Sequence, residues 1–193
     1  MGNHWKKTGL SENYDRARCT GSEPDRPQTI IRGMSFLRFL MLLSLVAWVG
    51  GLMFFAFVLA PTAFSVLPNT HLAGNVVRSS LSKMHWIAIV SGISFLISSL
   101  LLSRIVDGTP HAFAPRNVLI LIMLLLTAIS QFGIMPRMDK LRAAVSDFAS
   151  VVVSDPARVQ FDALHVWSTR VEGAVLLLGL IVVHITANAF SQR

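Results

Sequence analysis

Residues Met84–Ser103 read MHWIAIVSGISFLISSLLLS, a stretch that contains no Lys, Arg, Asp or Glu and is bounded by Lys83 and Arg104. About 20 apolar residues in a helix are needed to cross a bilayer core of roughly 30 Å. Because backbone polar groups in lipid must be satisfied within the chain, a lone segment of this kind is expected to be helical. The stretch therefore predicts a transmembrane helix.

Three further stretches of similar length are dominated by apolar residues. Together with the first stretch, they give predicted spans at about 36–60, 84–103, 117–136 and 165–190. We therefore predict an all-α fold, an integral membrane bundle of four transmembrane helices that occupies residues 34–190.

The composition agrees with a chain whose main partner is the lipid bilayer. Hydrophobic residues make up 53% of the 193 residues and charged residues 14%, whereas about 25% of a typical soluble domain is charged. The net charge of +7 does not indicate nucleic-acid binding, because the basic residues lie in the N-terminal tail and at the ends of apolar runs. The single cysteine, Cys19, allows neither an intramolecular disulfide nor a zinc site.

Residues 1–33 are polar, charge-mixed and rich in turn formers, which predicts a disordered tail. The apolar run that follows is too long and starts too late for a secretory signal. The sequence from Met34, MSFLRFLMLLSLVAW, is typical of a natural start, so Met34 is an alternative initiator that N-terminal sequencing would test. We assign no membrane orientation, because the positive-inside rule favours one orientation for a chain that begins at Met1 and the opposite orientation for a chain that begins at Met34.

The loop before the last span contains an amphipathic pattern in residues 138–153. Asp139 and Arg142 lie away from an apolar helical stripe. The stripe consists of Met138, Leu141, Val145, Phe148 and Val152. This pattern predicts an amphipathic helix that lies at the membrane interface.

The last helix is predicted to start well before its apolar part. Asp155 is suited to the N-cap and Pro156 to the first turn. Nothing breaks the helical pattern from there to about Phe190, which predicts a helix about 50 Å long. Its first turns are therefore expected to extend beyond the bilayer.

Phe161, His165, Ser168 and Glu172 are spaced by four, three and four residues, so they share one face of this last helix. The three polar members are expected to belong to the inward stripe of the bundle. An acidic side chain entering a span is costly unless it is paired, protonated or hydrated, and it is a functional hypothesis by default.

Purely structural roles for these three residues stay open. His165 could be an interfacial histidine bonded to a backbone carbonyl, and Ser168 could serve helix packing. For Glu172 a structural ion pair competes with a role in transport. We do not predict an enzyme, because all three residues lie on one helix and no oxyanion-hole signature accompanies them.

Topology brings residues of other spans to the same membrane face. The first and third predicted spans end on the side on which the second and fourth begin. That side is expected to collect Pro61, His85, Pro136, Arg137, His165, Ser168 and Glu172. Gln131 should lie at a depth comparable with that of Glu172. The expected partners of the carboxylate are Gln131, Arg137 and Lys83.

Two histidines on one face raise the possibility of a metal or haem site. His85, His165 and Glu172 could form a minimal metal site. Haem is disfavoured, because bis-histidine haem normally needs histidines deeper in the bundle than these two. We assign no cofactor, and the metal question stays open.

The first span carries features of helix packing. Gly50 and Gly51 lie in mid-span, where paired glycines permit close approach of another helix or a bend. Trp48 is expected to pack inside the bundle. Pro61 and Pro136 are expected to close the first and third spans.

Three stretches together resemble a known family. AWVGGLMFFAFVLAPTAFSVL, FGIMPRMDKL and FDALHVWSTRVEGAVLL are similar to the domain of unknown function 4149 family, which is related to the eukaryotic transmembrane protein 205 family. The resemblance covers about Met34 to Ala187. The positions that match its pattern are Trp48, Gly50, Gly51, Pro61, Phe64, Pro136, Phe161, Leu164, His165 and Ser168. At the position of Glu172 the family pattern commonly has asparagine. The resemblance implies a multi-span membrane protein without a settled reaction.

Three functions remain open at this point. The leading hypothesis is a multi-pass protein, expected in a bacterial inner membrane, that binds or passes a small polar solute or cation at one membrane face. A non-catalytic scaffold or accessory subunit, with a membrane partner protein or as a homo-oligomer, is the second. A haem or redox membrane protein is the third.

Overall fold

The computed structural model describes residues 28–144, 152 and 154–191. Within these residues the chain forms helices and turns and no β-strand. The bundle belongs to a unit that starts at Phe36, and the described residues before it, 28–35, belong to a separate unit. Of the predicted disordered tail, only residues 28–33 are described, and they are helical; the rest of that prediction lies outside the described residues.

Four helices make up the described chain. Helix α1 consists of α-helical segments Gln28–Leu45, Gly51–Phe54 and Ala60–Val66, joined by π-helical turns Val46–Gly50 and Phe55–Leu59. Helix α2 is Thr70–Asp107. Helix α3 consists of Pro115–Ile129, the π-helical turn Ser130–Ile134, and Met135–Ala144. Helix α4 is Pro156–Ser191.

All four helices are long and apolar enough to cross a membrane. Many large apolar side chains point outward, among them Phe57, Leu125 and Leu177, each more than half exposed. A soluble monomer rarely exposes so much apolar surface, whereas lipid tails cover it without cost. The predicted all-α bundle of four membrane helices is therefore confirmed, and the chain is a multi-pass membrane protein.

Side-chain caps fix the start of two helices. Asn69 Oδ1 accepts a hydrogen bond from the backbone N–H of Leu72 at the start of α2 (2.7 Å). Asp155 Oδ1 accepts one from Ala157 N–H at the start of α4 (2.7 Å), as the sequence predicts. Helix α4 contains 36 residues, about 54 Å, and therefore exceeds the thickness of the hydrocarbon core.

The two prolines expected to close the first and third spans lie inside helices. The helical backbone continues past Pro61 to Val66 and past Pro136 to Ala144, so neither proline ends its helix, and the closing of the membrane spans at these positions stays a prediction. Each follows closely on a π-helical turn. A proline ring lacks the amide hydrogen and collides with the carbonyl four residues earlier, and a wider turn relieves both problems. The π-helical turns therefore let the helices continue.

The same continuation changes the predicted interfacial helix, residues 138–153. Its first part belongs to α3, which reaches Ala144. Most of the remainder, including Val145 and Phe148, lies outside the described residues, and Val152 is not helical. A separate interfacial helix stays a prediction.

Close approaches between helices occur at one glycine of the expected pair, Gly51, and at two further glycines, Gly92 and Gly179. A Cβ on Gly179 of α4 would lie 2.7 Å from Val49 Cγ2, and one on Gly92 of α2 would lie 2.7 Å from the Trp48 ring. Trp48 itself is buried, as expected. Of the predicted glycine pair, Gly51 faces the flexible end of Met84, whereas Gly50 has open space.

Candidate functional site

Glu172 of α4 forms the centre of a polar cluster inside the bundle. Its Oε1 atom lies 2.7 Å from His85 Nε2 of α2 and accepts a hydrogen bond from Ser130 Oγ of α3 (3.0 Å). The glutamate side chain is 14% exposed and the histidine side chain 3% exposed. Buried polar groups are stable only when they are hydrogen-bonded, and these contacts meet that requirement across three helices.

The second ring nitrogen of His85 is engaged as well. His85 Nδ1 lies 2.8 Å from Gln131 Oε1, and Gln131 Nε2 donates to Ser82 Oγ (3.2 Å). Ser82 and His85 are three residues apart on α2 and share a face, while Ser130 and Gln131 are neighbours in the π-helical turn of α3. We call Ser82, His85, Ser130, Gln131 and Glu172 the polar network.

A cavity of about 460 Å³ adjoins the polar network and is lined by residues of all four helices. Its walls are mainly apolar, with Leu52 and Phe55 from α1, Leu81 from α2 and Met135 from α3. Glu172 lines the cavity, and so do the other two polar residues of its helix face, His165 and Ser168. The cavity therefore combines an apolar body with one carboxylate that belongs to the polar network.

A second group of charges lines the same cavity. Arg78 of α2 forms a two-fold hydrogen-bonded ion pair with Asp139 of α3. Arg142 Nη1 donates to Gly74 O (3.3 Å), and its guanidinium carbon lies 5.1 Å from the centroid of the Phe161 ring. We call Arg78, Asp139 and Arg142 the charged rim. With two arginines and one aspartate, the charged rim carries one net positive charge, and Glu172 is the other carboxylate on the described cavity wall.

The comparison with known families supports the resemblance that the sequence motifs indicate. Residues 43–146 match the model of the family described as "Domain of unknown function (DUF4149)", which is more than half of the 193 residues. The chain belongs to the DUF4149 family. No curated protein and no solved structure gave a significant match. The matched segment ends before α4, so Phe161, His165, Ser168 and Glu172 lie outside it.

In this DUF4149 protein, most of the predicted site residues lie together. His85, Gln131 and Glu172 are in direct contact, and Ser168 is buried beside them on α4. His165 lines the cavity but is exposed, and its ring stacks on Phe161 with 6.5 Å between the centroids. Gln131 is thus the expected partner that joins the network.

Two other expected partners lie elsewhere. Arg137 and Lys83 are exposed and take no part in the polar network. Among the residues of the family pattern, Phe64 lines the cavity, Pro61 is exposed, and Leu164 is half-buried.

Sequence reasoning missed five residues of the site. Ser82 and Ser130 carry the outer hydrogen bonds of the network, and the available signal was their spacing, three residues from His85 and one from Gln131. Arg78, Asp139 and Arg142 form the charged rim. Asp139 and Arg142 had been placed on the outward face of the interfacial helix, whereas they line the cavity because α3 continues through them.

The residues that the structure describes do not suit a metal or haem site. They contain no group of three or more His, Cys, Asp or Glu side chains that could hold a metal ion. Both ring nitrogens of His85 are used in hydrogen bonds, and iron or zinc needs a free nitrogen lone pair. We therefore derive no chemistry through such a group.

Proposed function

We propose that this protein binds a small polar or cationic solute in the cavity, with Glu172 as its anionic anchor and His165 and Ser168 as further contacts. The observation that carries the proposal is the position of Glu172, whose carboxylate lines an otherwise mainly apolar cavity of about 460 Å³. Placing a carboxylate inside a membrane span costs free energy, and a role in solute binding would explain why Glu172 is there.

Beside Glu172, in the inner part of the cavity, the carboxylate oxygen Oε2 favours a cation over an anion, while Arg142 places a positive charge at the charged rim. Oε1 of Glu172 accepts a hydrogen bond from Ser130 Oγ and is hydrogen-bonded to His85 Nε2, while Oε2 has no hydrogen-bond partner among the described residues. The buried side chain of Phe55 also lines the cavity. Aromatic faces attract organic cations, so a small ammonium or guanidinium compound fits the site better than a metal ion does.

Passage of the solute to the other side is a further part of this proposal. It requires an opening through the opposite half of the bundle, where Ile120, Met123 and Val182 are fully buried. The membrane that we propose is a bacterial inner membrane, since inner membranes contain helical spans whereas outer membranes contain barrels.

Binding and uptake in proteoliposomes test the proposal. Methylammonium and guanidinium are the probes, and Glu172→Gln and His165→Ala are the variants. Because Glu172→Gln removes a charge-assisted contact, it should weaken binding of the probes by roughly 10- to 100-fold. His165→Ala should weaken binding less, because that ring is exposed.

Matched controls come from the same helix. Asp162→Asn removes an exposed carboxylate, and His184→Ala removes an exposed histidine that contacts Asn188 near the far end of α4. Both controls should behave as the wild type does. Equal binding by Glu172→Gln and the wild type would contradict the proposal and favour the non-catalytic scaffold instead.

A further inference from the structure

We propose that His85 and Glu172 hold one proton between them and that a cation entering the cavity displaces this proton, so that solute binding is coupled to proton release. The inference rests on the proposed function and adds how binding at that site is regulated. It depends on the hydrogen-bond directions in the polar network.

In the amide orientation of this structure, the side chain of Gln131 determines which nitrogen of His85 carries a hydrogen. Gln131 Nε2 donates to Ser82 Oγ, so its Oε1 atom faces His85 Nδ1 at 2.8 Å. An amide oxygen only accepts hydrogen bonds. Nδ1 is therefore the donor in this contact and carries a hydrogen.

The other nitrogen then fixes the proton content of the pair. His85 Nε2 and Glu172 Oε1 are 2.7 Å apart, a distance at which two bare lone pairs repel and two hydrogens collide. One proton must lie between them, either on the imidazolium beside a carboxylate or on a carboxylic acid beside a neutral ring. In both forms the pair has no net charge.

A cation at Glu172 changes this balance. A monovalent cation beside the carboxylate would lie within a few ångströms of the shared proton, and like charges at that range repel strongly in a weakly polar interior. The cation takes the place of the proton, which leaves to water, and the total charge at the site is unchanged. Because two bare lone pairs at 2.7 Å repel, His85 Nε2 and Glu172 Oε1 then move apart or accept hydrogen bonds from the N–H groups of the cation. Cation binding therefore strengthens as the pH rises.

Other ionisable groups around the cavity must be considered as sources of the proton. On the described wall, α1 contributes apolar side chains such as Leu52 and Phe55. Helix α2 contributes Arg78, and α3 contributes Asp139 and Arg142. The two guanidinium groups do not lose a proton near neutral pH, and Asp139 is ion-paired with Arg78. His165 of α4 is the remaining candidate, and a variant separates it from the pair.

Proton release on binding is measured with the full-length protein in nanodiscs, by calorimetry in two buffers of different ionisation enthalpy. The probes are methylammonium and guanidinium. We expect about one proton released per cation bound, and an apparent Kd that falls about tenfold for each unit of pH rise. In Glu172→Gln binding should weaken by roughly 10- to 100-fold and the remaining binding should release no proton, with size-exclusion behaviour and circular dichroism confirming that the variant folds.

A second variant identifies the source of the proton. In His165→Gln the cation should bind more weakly but still release about one proton per cation bound. Binding without proton release in the wild type, or loss of release in His165→Gln, would overturn the coupling while leaving the proposed function intact. If neither probe binds at any pH between about 6 and 9, the range in which histidine and nearby groups titrate, the proposed function and the coupling both fail.

Discussion

His85 Nε2 and Glu172 Oε1 lie 2.7 Å apart, although 87 positions separate the two residues in the chain. Each needs the other, because His85 is 2% exposed and its other nitrogen is already used by Gln131. The contact joins α2 to α4, and Ser130 and Gln131 join both helices to α3. Glu172, the proposed anchor of a solute, is thus also part of what holds the bundle together.

Replacing Glu172 by alanine should destabilise the bundle more than replacing it by glutamine. Alanine leaves His85 Nε2 and Ser130 Oγ without a partner in the interior, and each unsatisfied buried group costs about 1–3 kcal/mol. Glutamine retains an oxygen that accepts from Ser130 Oγ and an amide group that can still form a hydrogen bond with His85 Nε2. Thermal unfolding in detergent checks the order, and equal melting temperatures for Glu172→Ala and the wild type would contradict the structural role of the network.

Glycine positions provide a second prediction, with a matched pair of variants. Gly179→Ala places a methyl group 2.7 Å from Val49 Cγ2, and the stiff valine side chain cannot easily move aside. Overpacking of this kind costs about 1–3 kcal/mol. Gly50→Ala meets nothing within 4 Å and gains helix propensity, up to about 1 kcal/mol. The first variant should melt below the wild type and the second at or above it; the reverse order would contradict the packing of α1 against α4.

The sequence predicts the spans and much of the site because polar side chains stand out in apolar runs. His85, Gln131 and Glu172 each interrupt or flank such a run, and alternating helix direction is enough to place all three at one end of the bundle. The start of α4 is also readable, because the Asp155 cap is a local interaction. These features depend on spacing along one chain and need no knowledge of packing.

The charged rim could not be predicted, because it depends on helix register. Reading Pro136 as a helix end placed Asp139 and Arg142 on a separate helix. In the structure a π-helical turn, Ser130–Ile134, carries α3 past the proline. One extra residue in such a turn rotates everything after it by about 100°. The spacing of apolar residues in the sequence does not reveal that rotation, so the sequence alone could not show which helix face carries Asp139 and Arg142.

The ion pair between Arg78 and Asp139 should contribute little to stability. Their side chains are 44% and 33% exposed, and exposed pairs are weakened by water and salt, so a double-mutant cycle should give a coupling of about 0.5 kcal/mol or less. Arg78→Gln, Asp139→Asn and the double variant are compared by unfolding at low and high salt. A coupling above about 2 kcal/mol that does not depend on salt would show that the pair is far less accessible to water than these exposures imply.

Labelling of engineered cysteines tests the arrangement of the helices. Thr109 follows α2 and Ser154 precedes α4, and both are exposed. Because successive membrane helices alternate in direction, these two positions should lie on opposite sides of the membrane. In a Cys19→Ser background, a membrane-impermeant maleimide applied to sealed, uniformly oriented vesicles should label Thr109→Cys or Ser154→Cys but not both until the vesicles are opened. If both positions were labelled from one side, the end of α2 and the start of α4 would lie on the same side of the membrane. The start of α2 would then lie on the opposite side from the start of α4, and the cavity that contains Glu172 could not exist as described.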